Sequence, residues 1–129
     1  MAQGSPKILQ TWSEETAAGS ILHVRGEMDL SSAPFVRAEL MRLVGRGGAV
    51  IVDCSQLQYL DMSGIHVLED CHQEAEEQGQ CLVLVGSVPL VHRILTIVGL
   101  NRRMPVVDTI GAAREFLGRG GNRPGRPTS

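Results

Sequence analysis

The chain is poor in aromatic residues, with one Trp, one Tyr and two Phe in 129 residues. Nucleic-acid binding draws on cationic surplus for phosphates and on aromatic faces for bases. The formal net charge is only −2. Arg119, Arg123 and Arg126 sit together in an acid-free C-terminal stretch, so residues 1–118 hold nine basic against fourteen acidic side chains, a net charge of −5. No direct nucleic-acid binding is expected, and protein partners are. Long apolar runs are also missing: AVIV at 49–52 and CLVLV at 81–85 fall far short of the roughly 20 residues that cross a bilayer. The N-terminal MAQGSPK lacks the apolar stretch of a signal peptide. The expectation is a cytoplasmic protein with no membrane insertion. Cysteine is scarce and odd in number: Cys54, Cys71 and Cys81 show no C-x-x-C spacing, which speaks against a disulfide framework or a zinc ribbon and makes small core residues of them.

Catalytic motifs are missing too. An esterase elbow requires G-x-S-x-G, whereas Asp61-Met62-Ser63-Gly64-Ile65 has Asp and Ile in place of the two glycines. Nothing in the sequence ties His23, His66, His72 or His92 to Ser63 as an activating base. Gly45-Arg46-Gly47-Gly48 precedes an apolar run instead of following one, and no G-x-x-x-x-G-K-[ST] exists, so no phosphate loop is read. His66 and Asp70 are four apart on what reads as a solvated helix face, without H-E-x-x-H or comparable metal spacing. No cofactor, no metal and no enzymatic activity are expected.

What is present is an alternation of strand and helix patterns. SILHVR at 20–25 reads as a strand, with KILQTW at 7–12 able to pair with it, and Gly26-Glu27-Met28-Asp29 interrupts the pattern. Ser31 and Ser32 before Pro34 look like a helix cap and first turn, and Val36, Leu40, Leu43 and Val44 share one face of a helix over 33–45. Ala49 to Cys54 has the continuous apolar character of a central strand covered on both sides. From residue 63, Ile65, Leu68, Cys71 or His72, and Ala75 make a helical stripe, with Gly79 placed to stop it. CLVLV at 81–85 is a further buried strand. Gly86-Ser87-Val88-Pro89 turns into a helix carrying Leu90, Val91, Ile94, Leu95 and Val98, closed by Gly99. A strand at 104–107, a cap at Asp108 and a helix through Ala112, Ala113 and Phe116 follow. Residues 1–118 are expected to form one α/β (α+β) domain with a mixed sheet and about four helices, and 119–129 a disordered Gly/Pro/Arg-rich tail.

At the start of the second helix, Asp61 or Ser63 can accept hydrogen bonds from the free N–H groups of the first turn, and that geometry also suits a phosphate on a first-turn serine. Three segments together, RGEMDLSSAPFV at 25–36, VDCSQLQYLDMSGIHVL at 52–68 and GSVPLVHRILTIVGL at 86–100, resemble the STAS domain of bacterial anti-sigma factor antagonists. The likeness extends over about residues 8–117: a G-E-x-D loop after a strand, an apolar strand, a D-S-[ST]-G-[LI] helix start, and a later helix ending near a glycine. It implies an antagonist that binds an anti-sigma factor kinase, makes it release its sigma factor, and so regulates transcription by partner switching. In switching members the kinase phosphorylates the serine after the motif aspartate and a phosphatase reverses it.

The resemblance places Asp29 at the family's loop aspartate and Asp61 at the motif aspartate, but the acceptor position is Met62, which has no hydroxyl. Ser63, one residue on and therefore rotated by about 100°, is the remaining phosphorylation candidate. A version without the usual phosphoswitch is preferred, with Met62 packing against a partner groove. The expected partner-binding surface is Asp29, Leu30, Ser31 and Ser32 with Asp61, Met62, Ser63, Gly64, Ile65, His66 and Glu69. The alternative is a STAS interaction subunit of a lipid-transport or stress-signalling complex. Redox control through Cys71 and Cys81 is weighed and set below inert core thiols.

Overall fold

The computed structural model describes residues 9–86 and 89–119. In chain order these form β1 (Gln10–Glu15), β2 (Gly19–Met28), α1 (Ala33–Gly45), β3 (Ala49–Leu60), α2 (Met62–Glu77), β4 (Leu82–Val85), α3 (Pro89–Ile97), a 3₁₀ turn (Leu100–Arg102), β5 (Val106–Val107) and α4 (Ile110–Gly118). The strands lie in sequential order across one sheet, β1 antiparallel to β2 and the rest parallel. The apolar run that suggested a central strand is indeed the middle strand, β3.

From β2 to β5 every step moves one place in the same direction. Right-handed crossovers then deliver their helices to the same face of the sheet. Leu22, Val24, Val50, Val52, Leu82 and Leu84 accordingly pack with Leu40 and Leu43 of α1, Ile65 and Leu68 of α2 and Leu95 of α3. The alternate residues Ile21, Ile51, Val83 and Val85 face the other way and are covered by Ala113, Phe116 and Leu117 of α4. Among the described residues one short helix covers part of that second face.

Several boundaries differ from the sequence reading. The first strand occupies Gln10–Glu15 instead of 7–12, because Thr16 and Gly19 close the turn by exchanging backbone hydrogen bonds of 2.9 and 3.3 Å; residues 7 and 8 lie outside the described part. β2 continues through Gly26, which takes φ +106°, a conformation open to glycine without a Cβ clash. β3 extends to Leu60, and two register shifts against β2 give it extra residues, between Asp53 and Gln56 and between Leu57 and Tyr59. Each bulge turns the following side chains to the opposite face. Cys54, Leu57 and Leu60 therefore all enter the same core despite their spacing of three.

The helix starts also differ. Ser32 holds the N-cap position of α1, but its hydroxyl makes no cap bond. At α4 the cap is Thr109, whose Oγ1 accepts from Ala112 N–H at 3.0 Å, instead of Asp108. The capping side chain belongs to the residue directly before the first helical one, Ile110, and Asp108 is one too early. Gly99 ends its helix in the left-handed region, as read. The side chains of Leu90 and Val91, Ser87 and Val88 of the preceding turn, and residues 120–129 of the tail lie outside the described residues.

Candidate functional site

The register of two parallel strands brings the two motif loops together. Met28 ends β2, Leu60 ends β3, and the two are paired. The chain leaves both strands at the same end of the sheet, and Asp61 N–H donates to the Met28 carbonyl at 3.3 Å. Residues 29–32 and 61–66 thus emerge side by side.

In the first loop, Asp29 is a turn organiser. Its Oδ1 accepts from Ser31 N–H (3.0 Å), Ser31 Oγ (2.8 Å) and Ser32 N–H (3.0 Å). These bonds, first from the Ser31 hydroxyl and then from Ser32, hold its carboxyl below the usual aspartate value. The Ser32 hydroxyl accepts from Asp29 N–H at 3.0 Å and donates to the Glu27 carbonyl at 2.9 Å. That is why it does not cap α1. The closed turn pushes Leu30 outward, where 77% of it is exposed, and Phe35 in the first turn of α1 is 52% exposed.

In the second loop, Asp61 is the N-cap of α2. Its Oδ1 accepts from Ser63 N–H at 2.9 Å and Gly64 N–H at 3.3 Å. The backbone turns at that point, leaving Met62 half exposed, Ser63 partly buried and Gly64 and Ile65 buried. A Cβ on Gly64 would stand 2.6 Å from Leu60 Cδ1 and 2.8 Å from Met28 Sδ. Gly64 therefore lets the helix start settle onto the strand ends, and Ile65 belongs to the core beneath. Both are buried and lie beneath the surface expected from the sequence. One turn further, His66 is exposed. Glu69 pairs with Arg103 and Asp70 with Arg37 at 2.8 Å.

The same end of the molecule thus combines exposed apolar residues, Leu30, Phe35 and Met62, with carboxylates partly neutralised by arginines. Sequence reasoning missed Phe35, Arg37 and Arg103. Phe35 carried a signal, being an aromatic one step off the Val36–Leu40–Leu43 stripe, whereas Arg103 reaches Glu69 from a distant turn that no spacing rule reveals.

The thiols, His23 and His72 lie elsewhere. Cys54 and Cys71 are buried, and burial pushes both thiols up to about 12. Cys71 packs in the core under α1–α3, and Cys81 in the core on the opposite sheet face. The sheet stands between the pair considered for redox control. His23 is bonded to Glu14 and Asp53, and His72 lies 3.1 Å from Glu76. Among the described residues no helix is long and apolar enough to cross a membrane.

Comparison with known proteins gives consistent results. Residues 12–113 match the model of the STAS domain. A Mycobacterium tuberculosis protein named as an anti-anti-sigma factor is 30% identical over 121 residues, 92% of this chain and 80% of that one. An anti-sigma F factor antagonist of Paenibacillus polymyxa is 27% identical over 90 residues, 68% of this chain and 77% of its own. Among solved structures, an anti-sigma factor antagonist from Mycobacterium paratuberculosis superposes with a TM-score of 0.77 at 24% identity, covering 88% of this chain and 97% of that one.

Proposed function

Since the chain belongs to the STAS domain family, we propose that it is an anti-sigma factor antagonist that binds an anti-sigma factor of the serine-kinase type and frees the sigma factor held by it. The general role is supported by relatives named as antagonists of this kind. On this reading the protein acts by binding alone, and the bound partner loses its grip on sigma through competition.

The observation that carries the reading is the joined end of β2 and β3, where Leu30, Phe35 and Met62 stand exposed above a rigid base of Asp29, Asp61 and Gly64. Exposed apolar side chains grouped at one end of a small domain are what a protein partner covers. The base holds the two loops without partner help, so binding would lose little conformational freedom.

Control of the binding is proposed to differ from the phosphoswitch. Met62 offers a kinase no hydroxyl. A phosphate on Ser63 would stand beside the Asp61 carboxylate, whose Oδ1 already takes the N–H groups of Ser63 and Gly64. The helix start that would stabilise a phosphate is thus occupied by an anion. We infer a constitutive antagonist, governed by its abundance or by another input.

Isolation of partners from extract of the source cell tests the role. Recovery of an anti-sigma factor with kinase-type ATP binding is expected. Recovery of membrane-transport components alone would favour the lipid-transport or stress-signalling alternative.

A further inference from the structure

Among the described residues, the part of the second sheet face that α4 does not cover carries a cluster apart from the joined loops. His23, in the middle of β2, is buried, with 11% of its side chain exposed. Its Nδ1 lies 2.7 Å from Asp53 Oδ2 on β3, and its Nε2 lies 2.6 Å from Glu14 Oε2 on β1. One imidazole ring therefore joins three neighbouring strands. The register produces this arrangement: His23 is paired with Trp12 on one side and Asp53 on the other, and Glu14, two residues from Trp12, points to the same face. The Trp12 and His23 rings stack at 5.1 Å with 14° between planes.

With both carboxyls ionised, the distances fit one protonation state of the ring. An ionised carboxylate only accepts hydrogen bonds, and a neutral imidazole donates from one nitrogen. Two carboxylates at these separations are both satisfied only by a ring donating from both nitrogens, the imidazolium. Neither nitrogen is then left for a metal.

The charged surroundings are Glu14 from β1, Asp53 from β3, Arg25 lying 5.3 Å over the Trp12 ring, and Arg114 from α4 across the groove that Glu14 also lines. Burial works against a charge on His23, but the hydrogen bonds of Glu14 and then Asp53 outweigh it, and the ring's pKa is raised. Burial likewise pushes Asp53 up, while Ser55 and then His23 outweigh it in the other direction, and its pKa is lowered.

Among the described residues β1 is an edge strand of six residues, paired with β2 alone. Short edge elements are where a domain opens locally. We propose that His23 is a proton-operated clasp on this strand: protonated, it ties Glu14 of β1 through to Asp53 of β3, and on losing its proton it lets β1 open from β2 while the rest of the sheet stays closed. The sign follows from linkage. A group whose pKa is raised on folding stabilises fully below its ordinary value of 6.5 and loses that contribution as pH rises through the higher folded value.

Amide hydrogen exchange of the full chain, corrected for intrinsic exchange rates, reads the clasp directly. Between about pH 6 and about pH 9, protection of Thr11–Glu15 relative to Val50–Val52 is expected to fall about fivefold or more. In Glu14→Gln, a substitution at an exposed side chain that spares the buried ring, the same ratio is expected to change by less than about twofold, and the His23 ring, followed by NMR, to titrate lower than in wild type. A wild-type ring titrating at or below the ordinary histidine value would overturn the proposal. So would β1 protection that stays constant across the ring's titration.

Discussion

Gly64 has no side chain to spare room for, and the packing around it shows the consequence: an added Cβ would meet Leu60 and Met28 well inside contact distance. Gly64→Ala is expected to destabilise the fold by about 1–3 kcal/mol, as overpacking does, measured by urea denaturation. Asp61→Ala removes the α2 cap and is expected to lower stability by about 1 kcal/mol, with Asp61→Asn retaining most of it; thermal unfolding compares the two. At the exposed position Leu30, Leu30→Asp should leave the unfolding midpoint unchanged and weaken partner binding at least about tenfold, a loss of about 1.4 kcal/mol, in a calorimetric titration. A matching loss of stability would return Leu30 to a purely structural part. Met62→Ser, which restores a hydroxyl at the usual acceptor position, should gain one phosphate from the cognate kinase and ATP by intact mass, where the wild type gains none. The Asp61 cap was legible because an acid stood immediately before a helical stripe. The inward turn of Asp29 was not, since a one-letter string does not tell which neighbour a carboxylate will face.

At the scale of elements, the helices were read nearly to the residue, because their apolar stripes repeat without interruption. The α1 helix runs from Ala33 to Gly45, as expected from the sequence. Strands are less well marked: the sequence pattern stops short of the ends of β2 and β3, starts early for β4 and β5, and sets β1 at 7–12 instead of Gln10–Glu15. The pattern of β3 breaks after Cys54 because two bulges change its period, and Gly26 looks like a breaker although its positive φ keeps it within β2. Contacts between distant elements left no trace in spacing. Glu15 of β1 reaches Arg42 (2.9 Å) and Arg46 (3.3 Å) of the α1 end. The Arg42 hydrogen bond, followed by that of Ser13, holds the Glu15 carboxyl at about 2 instead of 4.5. A group depressed on folding stabilises above its ordinary value and loses that contribution as pH falls through the folded one. With Asp29 and Asp53 shifted the same way, the urea midpoint should fall between pH 4.5 and about 2. Glu15→Gln should make that fall shallower, and an identical pH profile in the variant would assign the acid sensitivity to other groups.

For the whole molecule, fold class was legible from the order of strand and helix patterns, because sequential parallel strands with right-handed crossovers leave one simple arrangement. Three helices cover one face and α4 part of the other. The joining of the two motif loops was beyond reach of composition and periodicity, since it depends on Met28 and Leu60 ending paired strands. That pairing joins two segments about thirty residues apart into one surface on which Leu30, Phe35 and Met62 stand exposed. On the proposed function this surface releases sigma, and Met62 keeps it from being switched off by the partner's kinase activity. The most direct test of that function is to titrate the protein, with ATP present, into the complex of the anti-sigma factor and its sigma factor while following the anisotropy of labelled sigma. The account predicts stoichiometric release that persists through continued ATP incubation; no release, or release that decays as the wild-type chain gains phosphate, would contradict it.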